Sequence, residues 1–286
     1  MAAESTMTTP TTARAWLPEQ VGDLLLVPVE RDSVAVQAAG SVRADAASHA
    51  YRVPRVASDP SAAWTAEAAE IPATAAELDE ASTGYFKLAG LTIVSNELVA
   101  DSAPAALQAV TRGLARDTVA KLDSAFFGAR GDNTLQPLGL GDLKGVNNIA
   151  AGTSVKNLDV FLAAIAAAEN VGATLNAFVA HPDDALALAQ LKAATGSNLP
   201  LLGDDPTQPG KRLIAGVRVL VSPAVNKGTI WGIPGGGRAT VIIRKDTELT
   251  ADRSVYFTSD RTAVRSVMRV GTVFAHEQAV QKITIG

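Results

Sequence analysis

The chain contains no cysteine, which excludes disulfides and thiolate metal sites. Aromatic residues make up only 5% of it, against 47% hydrophobic residues overall. The apolar content is therefore mostly Ala, Val, Leu and Ile, which suit regular packed elements. No apolar run approaches the roughly 18 residues of a membrane span, so no membrane partner is expected. The opening MAAESTMTTPTTARAW lacks the charged-then-apolar layout of a signal peptide and reads as a flexible arm rich in Thr and Ala. The three histidines, His49, His181 and His276, are far apart and form no ligand-spaced pair. Catalytic signatures are missing as well: there is no GxSxG, no HExxH and no nucleotide-binding lysine motif. The glycine-rich stretch Gly232 to Arg238 lacks a Gly-Lys-Ser/Thr ending and opens no helix, so it reads as a loop between strands. No catalytic residue, cofactor or metal is expected. With no basic cluster interleaved with aromatics, specific nucleic-acid readout is not expected either.

What is present is an uneven division of charge. The net charge is -4 over 286 residues, enough chain for a substantial core. From Lys211 to Gly286 there are 12 Lys/Arg and 5 Asp/Glu, a net of +7, so residues 1–210 carry -11. Between Asp59 and Glu80 stand six carboxylates (Asp59, Glu67, Glu70, Glu77, Asp79, Glu80) and no Lys or Arg, and the first lysine is Lys87. An acidic run is ordinarily a solvated face, but here a basic C-terminal region offers a complementary surface.

Pattern and punctuation predict the elements. Pro18 to Leu26 reads as a short helix, Ser33 to Val42 as β-capable and His49 to Val56 as an alternating strand. Asp59 to Glu80 has no clean period and reads as an extended tip. Tyr85 to Val94 alternates again, as the return arm of a long hairpin, and connections that long are usually functional or disordered. A helix follows, capped by Asp101 or Ser102 with Pro104 in its first turn. Leu107, Val110, Leu114, Val119, Leu122 and Phe126 lie along one face of it. Arg112, Arg116, Asp117 and Lys121 lie mainly off that face. At about 25 residues it would be roughly 37 Å long, ending at Gly128. The connection after it includes Arg130-Gly131-Asp132, read as a loop. Further helices are expected at Asn157 to Asn170 and from His181, with Asp183 and Asp184 in the first turn of the latter. Asn176 to His181 between them reads as a buried strand. After Leu213 the chain turns to strands, at Val217 to Val221, Gly228 to Gly232, Ala239 to Arg244, Ser254 to Phe257, Thr262 to Val270 and, in pieces, Thr272 to Ile285. The fold class is α+β.

Taken in order, these stretches resemble the major capsid proteins of tailed bacteriophages. The resemblance rests on AWTAEAAEIP (Ala63 to Pro72), FKLAGLTIVSNELVADS (Phe86 to Ser102) and AFFGARGDNTLQPLGL (Ala125 to Leu140). It continues through FVAHPDDALAL (Phe178 to Leu188), LIAGVRVLVSPAV (Leu213 to Val225) and the ending from Phe257 to Ile285. Each motif is loose alone, but their joint order over roughly residues 15 to 286 is specific. The resemblance implies the tailed-phage capsid fold, shared with encapsulin shells and herpesvirus capsid floors. It implies an N-terminal arm and join at 1–48, an extended loop hairpin at 49–88 and a peripheral domain at 89–140 with a spine helix at 103–127. An axial domain would span 141–237, and strands 238–286 would return to the peripheral domain.

By that resemblance the chain is a structural protein, not an enzyme. Its copies would self-assemble into pentamers and hexamers of an icosahedral head around double-stranded DNA, a virion component assembled in the host cytoplasm. Its partners would be itself, a portal, the packaged DNA without sequence specificity, and separate scaffolding, protease or decoration proteins. The acidic hairpin, with Trp64, Glu67, Glu70, Glu77, Asp79 and Glu80, is expected to meet basic residues of adjacent subunits, with Arg238, Arg244, Lys245 and Arg253 as candidates. Two family features do not carry over. A cleaved scaffolding domain before Trp16 is not expected, and the hairpin from His49 to Phe86 has no lysine for an isopeptide link. The alternatives are an encapsulin-type nanocompartment shell and, in a different class, a soluble α+β enzyme or binding protein. The latter requires a concave polar site, for which the sequence offers no constellation.

Overall fold

A computed structural model describes residues 32–45, 48–58, 62, 64–65, 77–97, 105–192, 201–204, 212–244, 248–252 and 254–286. The expected helix at 18–26, the cap at Asp101 or Ser102, Glu67, Glu70, Lys245 and Arg253 lie outside these residues. In chain order the elements are α1 (Val34–Ala39), β1 (Ser41–Ala44), β2 (Ala50–Ser58), β3 (Glu77–Gly84), β4 (Phe86–Ser95), α2 (Ala105–Phe127) and β5 (Asn147–Ala150). They continue with α3 (Asp159–Asn170), β6 (Leu175–Ala180), α4 (Pro182–Ala189), β7 (Gly203–Asp204), β8 (Arg212–Ile214), β9 (Val217–Val221) and β10 (Thr229–Pro234). The last are β11 (Ala239–Arg244), β12 (Glu248–Asp252), β13 (Arg261–Phe274) and β14 (Gln281–Thr284).

The chain divides into two units, one of residues 1–32, 88–119 and 246–268, the other of 33–87, 120–245 and 269–286. In the first, β12 pairs antiparallel with the opening half of β13, from Glu248 opposite Val267 to Asp252 opposite Ala263. Strand β4 comes close to α2 at Gly90, where a Cβ would stand 2.3 Å from a methyl of Leu114. Glycine is there for approach rather than for conformation. The expected strand at Ser254 to Phe257 is not formed. Asp252 accepts hydrogen bonds from both the N–H and the hydroxyl of Ser254, at 2.7 and 2.6 Å, and this local turn ends β12. Strand β12 itself, polar and short, is absent from the sequence reading.

The second unit is built on a seven-stranded sheet ordered β5-β14-β10-β6-β9-β8-β7. Its central strand β6 is buried from Ala177 to Ala180, as its continuous apolar run predicts. Helices α3 and α4 cover one face: Phe161 and Ala164 from α3 and Ala185 and Leu188 from α4 join Phe178, Ile214, Ile230 and Ile283 in one cluster. The rings of Phe161 and Phe178 meet edge to face, with centroids 5.1 Å apart. His181 caps α4, its Nδ1 accepting from the Asp183 N–H, a local role that its side-chain chemistry allows but its spacing did not reveal.

Of the β-capable stretch Ser33 to Val42, only Ser41 and Val42 enter a strand, β1; Val34 to Ala39 does not. It forms α1, because Ser33 caps the helix and Gly40 ends it at φ 84°. Asp123 of α2 supplies the larger reason. Its carboxylate accepts from the Ser33 hydroxyl at 2.6 Å and from the N–H groups of Val34 and Ala35 at 3.1 Å each. At the other end Asn176 donates to the Ala38 carbonyl and Arg218 to the Gln37 carbonyl, both at 2.6 Å. The donors and acceptors left over at both ends of a short helix are thus met by distant parts of the chain. Burial pushes the Asp123 carboxyl above its ordinary range, and these three hydrogen bonds pull it back only in part.

Beyond α1, β1 runs parallel to β11, and β11 pairs antiparallel with the second half of β13. Strand β13 is continuous through Gly271, where the sequence reading placed a break. A Cβ at Gly271 would lie 2.7 Å from the Gly84 carbonyl oxygen, so this glycine admits a neighbouring backbone and does not end the strand.

Candidate functional site

The hairpin lies within the second unit. Its arms are β2 and β3, paired from Ala50 opposite Gly84 to Ser58 opposite Glu77. The return arm is therefore Glu77–Gly84, not the expected stretch at Tyr85 to Val94, which becomes β4. The apolar alternation of β4 suggested a hairpin arm, yet β3 is held by charge. Arg55 sits directly opposite Asp79, with its Nε donating to the carboxylate at 2.8 Å and a second guanidinium nitrogen on the same oxygen. Arg52 pairs diagonally with Glu80 at 3.2 Å. The hydrogen bond from Arg55, with one from the Glu80 N–H, holds the Asp79 carboxyl below its ordinary value. Cross-strand pairs of opposite charge are a standard source of sheet stability, although exposed ones add little individually.

Two of the acidic candidates, Asp79 and Glu80, thus meet arginines of their own hairpin. Glu77 is in β3. Trp64, beyond the paired arms, is fully exposed at 105% and does not pack on its own hairpin. On the basic side, Arg238 donates to the carbonyls of Gly172 and Gly235, at 2.8 and 3.4 Å. Arg244 stands over the Tyr85 ring, 5.3 Å from its centroid, a cation–π arrangement. Both described candidate cations are folded against their own chain. Arg112, Arg116 and Lys121 are exposed on α2.

The sequence reading missed a cavity at the foot of this hairpin. It encloses about 350 Å³ and its wall includes Arg55, Glu80, Phe86, Arg130, Phe274 and Glu277. The loop after α2, which contains Arg130, is tied down by Asp142. Burial pushes this carboxyl up, but hydrogen bonds from the N–H groups of Arg130, Gly139 and Gly131 outweigh it and the pKa is lowered. Glu277 accepts from the Gly145 N–H at 2.9 Å. Beside it His276 is held below its ordinary pKa by partial burial, then by the nearby charges of Arg238 and Arg55. The site combines two guanidiniums, two carboxylates and apolar walls, without a nucleophile–base pair. Among the described residues there is no group of His, Cys, Asp and Glu that could hold a metal ion. No local pattern could have signalled the cavity, since its residues come from five separate stretches of the chain.

Solved structures similar to this chain include phage, capsid and virus-like particle structures. A structure titled Microbacterium phage Oxtober96 matches with a TM-score of 0.71 at 18% identity, covering 89% of this chain and 91% of the other. The capsid of an empty GTA particle, computed with C5 symmetry, matches with a TM-score of 0.68 at 18% identity, covering 100% and 95%. A virus-like particle from Pyrococcus furiosus matches with a TM-score of 0.61 at 12% identity, covering 93% and 98%. At these identities the likeness establishes the fold: α+β, of the phage-capsid type. No curated protein matches the sequence. The sequence profile of the phage capsid family does, over residues 15–285. With nearly the whole chain matched and the hairpin, long helix and sheet in their expected order, the chain belongs to the phage capsid family.

Proposed function

We propose that this chain is a major capsid protein whose copies form the pentamers and hexamers of an icosahedral head around double-stranded DNA. Family membership over residues 15–285 carries the reading. The absence of any catalytic motif in the sequence fits a protein that works through contacts with its own copies. The N-terminal arm, the hairpin at 49–88, the peripheral domain at 89–140 with strands returning from 238, and the axial domain at 141–237, whose sheet also takes in β14, divide the labour. The hairpin reaches a neighbour, the spine helix gives the subunit length, and the axial sheet surrounds the symmetry axes. Shell stability then arises by repetition, since each weak contact recurs with every neighbour.

The acidic segment carrying Glu67, Glu70 and Glu77 meets basic residues of adjacent copies. With Arg238 and Arg244 engaged inside their own chain, Lys245 and Arg253 are the stronger candidates of the original four. Reversing all three glutamates to Lys would impair assembly and leave the subunit folded. Normal particles from that variant would refute the charge pairing. DNA is nonspecific cargo, met by few, salt-sensitive phosphate contacts, with Arg112 and Arg116 as candidates. A portal and separate scaffolding, protease or decoration proteins would complete the head, which assembles in the host cytoplasm.

A second reading is an encapsulin-type compartment, favoured by the likeness to the Pyrococcus virus-like particle. Size-exclusion chromatography followed by electron cryo-microscopy tests both. Capsomers or megadalton shells are expected, and a small soluble oligomer would overturn them. Neighbouring genes for a portal and terminase, rather than a cargo enzyme, separate head from compartment.

A further inference from the structure

We infer that the cavity at the foot of the hairpin receives Trp64 from a second copy, so that each subunit plugs into the next, head to tail. The inference rests on the shell reading and names the receiving surface that reading leaves open.

The plug comes first. Tryptophan is one of three in the chain, and Trp64 stands wholly in solvent. An aromatic side chain buries roughly 150–250 Å² when covered, so leaving it exposed forgoes a large favourable term. Its own subunit does not cover it.

The socket matches it in size and chemistry. About 350 Å³ lies at the lower end of cavities that take small ligands, about 300–1,000 Å³, and accommodates one large side chain rather than a cofactor. Phe86, Val273 and Phe274 give the wall apolar surface, and Arg55 and Arg130 bring guanidiniums to it. Arginine beside the face of tryptophan is the favoured cation–π pairing. The indole N–H is a donor only, and Glu80 and Glu277 bring carboxylates to the same wall. Mixed signs of charge suit an indole better than a phosphate, which argues against packaged DNA as the occupant.

Charge around the contact is complementary too. Glu67 and Glu70 follow Trp64 closely in sequence, while Arg55 and Arg130 stand in the socket wall. Symmetry completes the case. A contact between two different patches of identical chains is heterologous, and such contacts close into rings when the rotation permits. Pentamers and hexamers are rings of that kind, and hot spots of ring interfaces are typically aromatic anchors seated in pockets.

The cysteine-free chain allows a direct test. Ser82, exposed on β3 in the socket wall, and Trp64 are both replaced by Cys. Assembled particles are oxidised with diamide and boiled in SDS without reductant. A ladder reaching pentamers and hexamers is expected, with each single variant giving nothing above dimers. Assembled particles of the double variant without the ladder would overturn the proposal. If the double variant does not assemble, tryptophan emission decides. The difference between wild type and Trp64→Phe should shift to shorter wavelength on assembly, and Ser82→Arg, which fills the socket, should raise the protein concentration needed for assembly about tenfold. An unshifted emission, or a Ser82→Arg protein that assembles like wild type, would sink the plug-and-socket contact. The same ladder from a Trp16→Cys/Ser82→Cys pair would reassign the plug to the N-terminal arm. Wild-type protein that forms no particles at all would instead overturn the shell reading itself.

Discussion

The hairpin and the seven-stranded sheet are both β-structure, yet they are held by opposite means. The sheet buries Phe178, Ala180, Ile230 and Ile283 under α3 and α4, and Ala177, Val179 and Ile233 are fully buried as well. The hairpin joins arginines on β2 to carboxylates on β3 across an exposed ladder. Apolar burial of about 25 cal/mol per Å² makes the first self-sufficient. A two-stranded ribbon alone is marginal in water; this one packs Tyr51, Val53 and Ala81 at its foot against Ala44, Ile242 and Val273, and beyond the foot it needs partners. A subunit that must fold alone and assemble later separates the two tasks in this way: a sheet that finishes in the monomer and a hairpin that finishes in the shell.

The comparison breaks most visibly at its apolar end. Phe178→Ala removes a ring packed on Phe161 and should cost the unassembled subunit about 3–5 kcal/mol, measured by urea unfolding. A loss near zero would mean that the sheet is not the stabilising unit. Next is Asp123→Ala, which strips two buried donors and one part-buried donor of their acceptor. Each group left unsatisfied costs about 1–3 kcal/mol, partly relieved by water. The pH dependence of the same carboxyl has a definite sign. Its folded pKa is raised by burial, so its titration favours the folded state at low pH and that contribution is lost as pH rises through the folded pKa. Wild type should therefore gain stability relative to Asp123→Asn as pH falls from neutrality toward the carboxylate range. The opposite slope, in matched urea titrations, would show that the hydrogen bonds outweigh burial.

At the polar end the expected effects on folding are small. Asp79→Ala breaks an exposed pair and should leave the melting temperature of the unassembled subunit within error, while slowing assembly followed by light scattering. A large drop in melting temperature would make the hairpin part of the folding core. The smallest effect is a null one: particles boiled in SDS should run as a single band near 29.4 kDa. A surviving ladder of native protein would reveal a covalent link that neither cysteine nor a hairpin lysine can supply.

Much of this arrangement was legible in the chain. The three-to-four spacing of Leu114, Leu122 and Phe126 announced α2, Pro182 and the two aspartates announced α4, and the continuous run at Asn176 to His181 announced a central strand. Each signal is local, because a helix face or a buried strand writes its period into adjacent residues. The charge division, too, is a property of the sequence alone, as is the absence of cysteine and of catalytic motifs.

Other features were decided only by the tertiary structure. Val34 to Ala39 has no strong helical pattern. It is a helix because Asp123, 88 and 89 positions away from Ala35 and Val34, accepts their free N–H groups. Glu77 to Gly84 lacks the alternation of a strand, and becomes one because Arg52 and Arg55 lie across the ladder from its carboxylates. Gly271 looks like a break, and is instead where the Gly84 backbone comes closest. The cavity at the hairpin foot draws on residues from Arg55 to Glu277, which no window along the sequence can hold together. Periodicity records what a segment does with its neighbours in the chain; partners supplied from far away leave no period, and only folding brings them within reach.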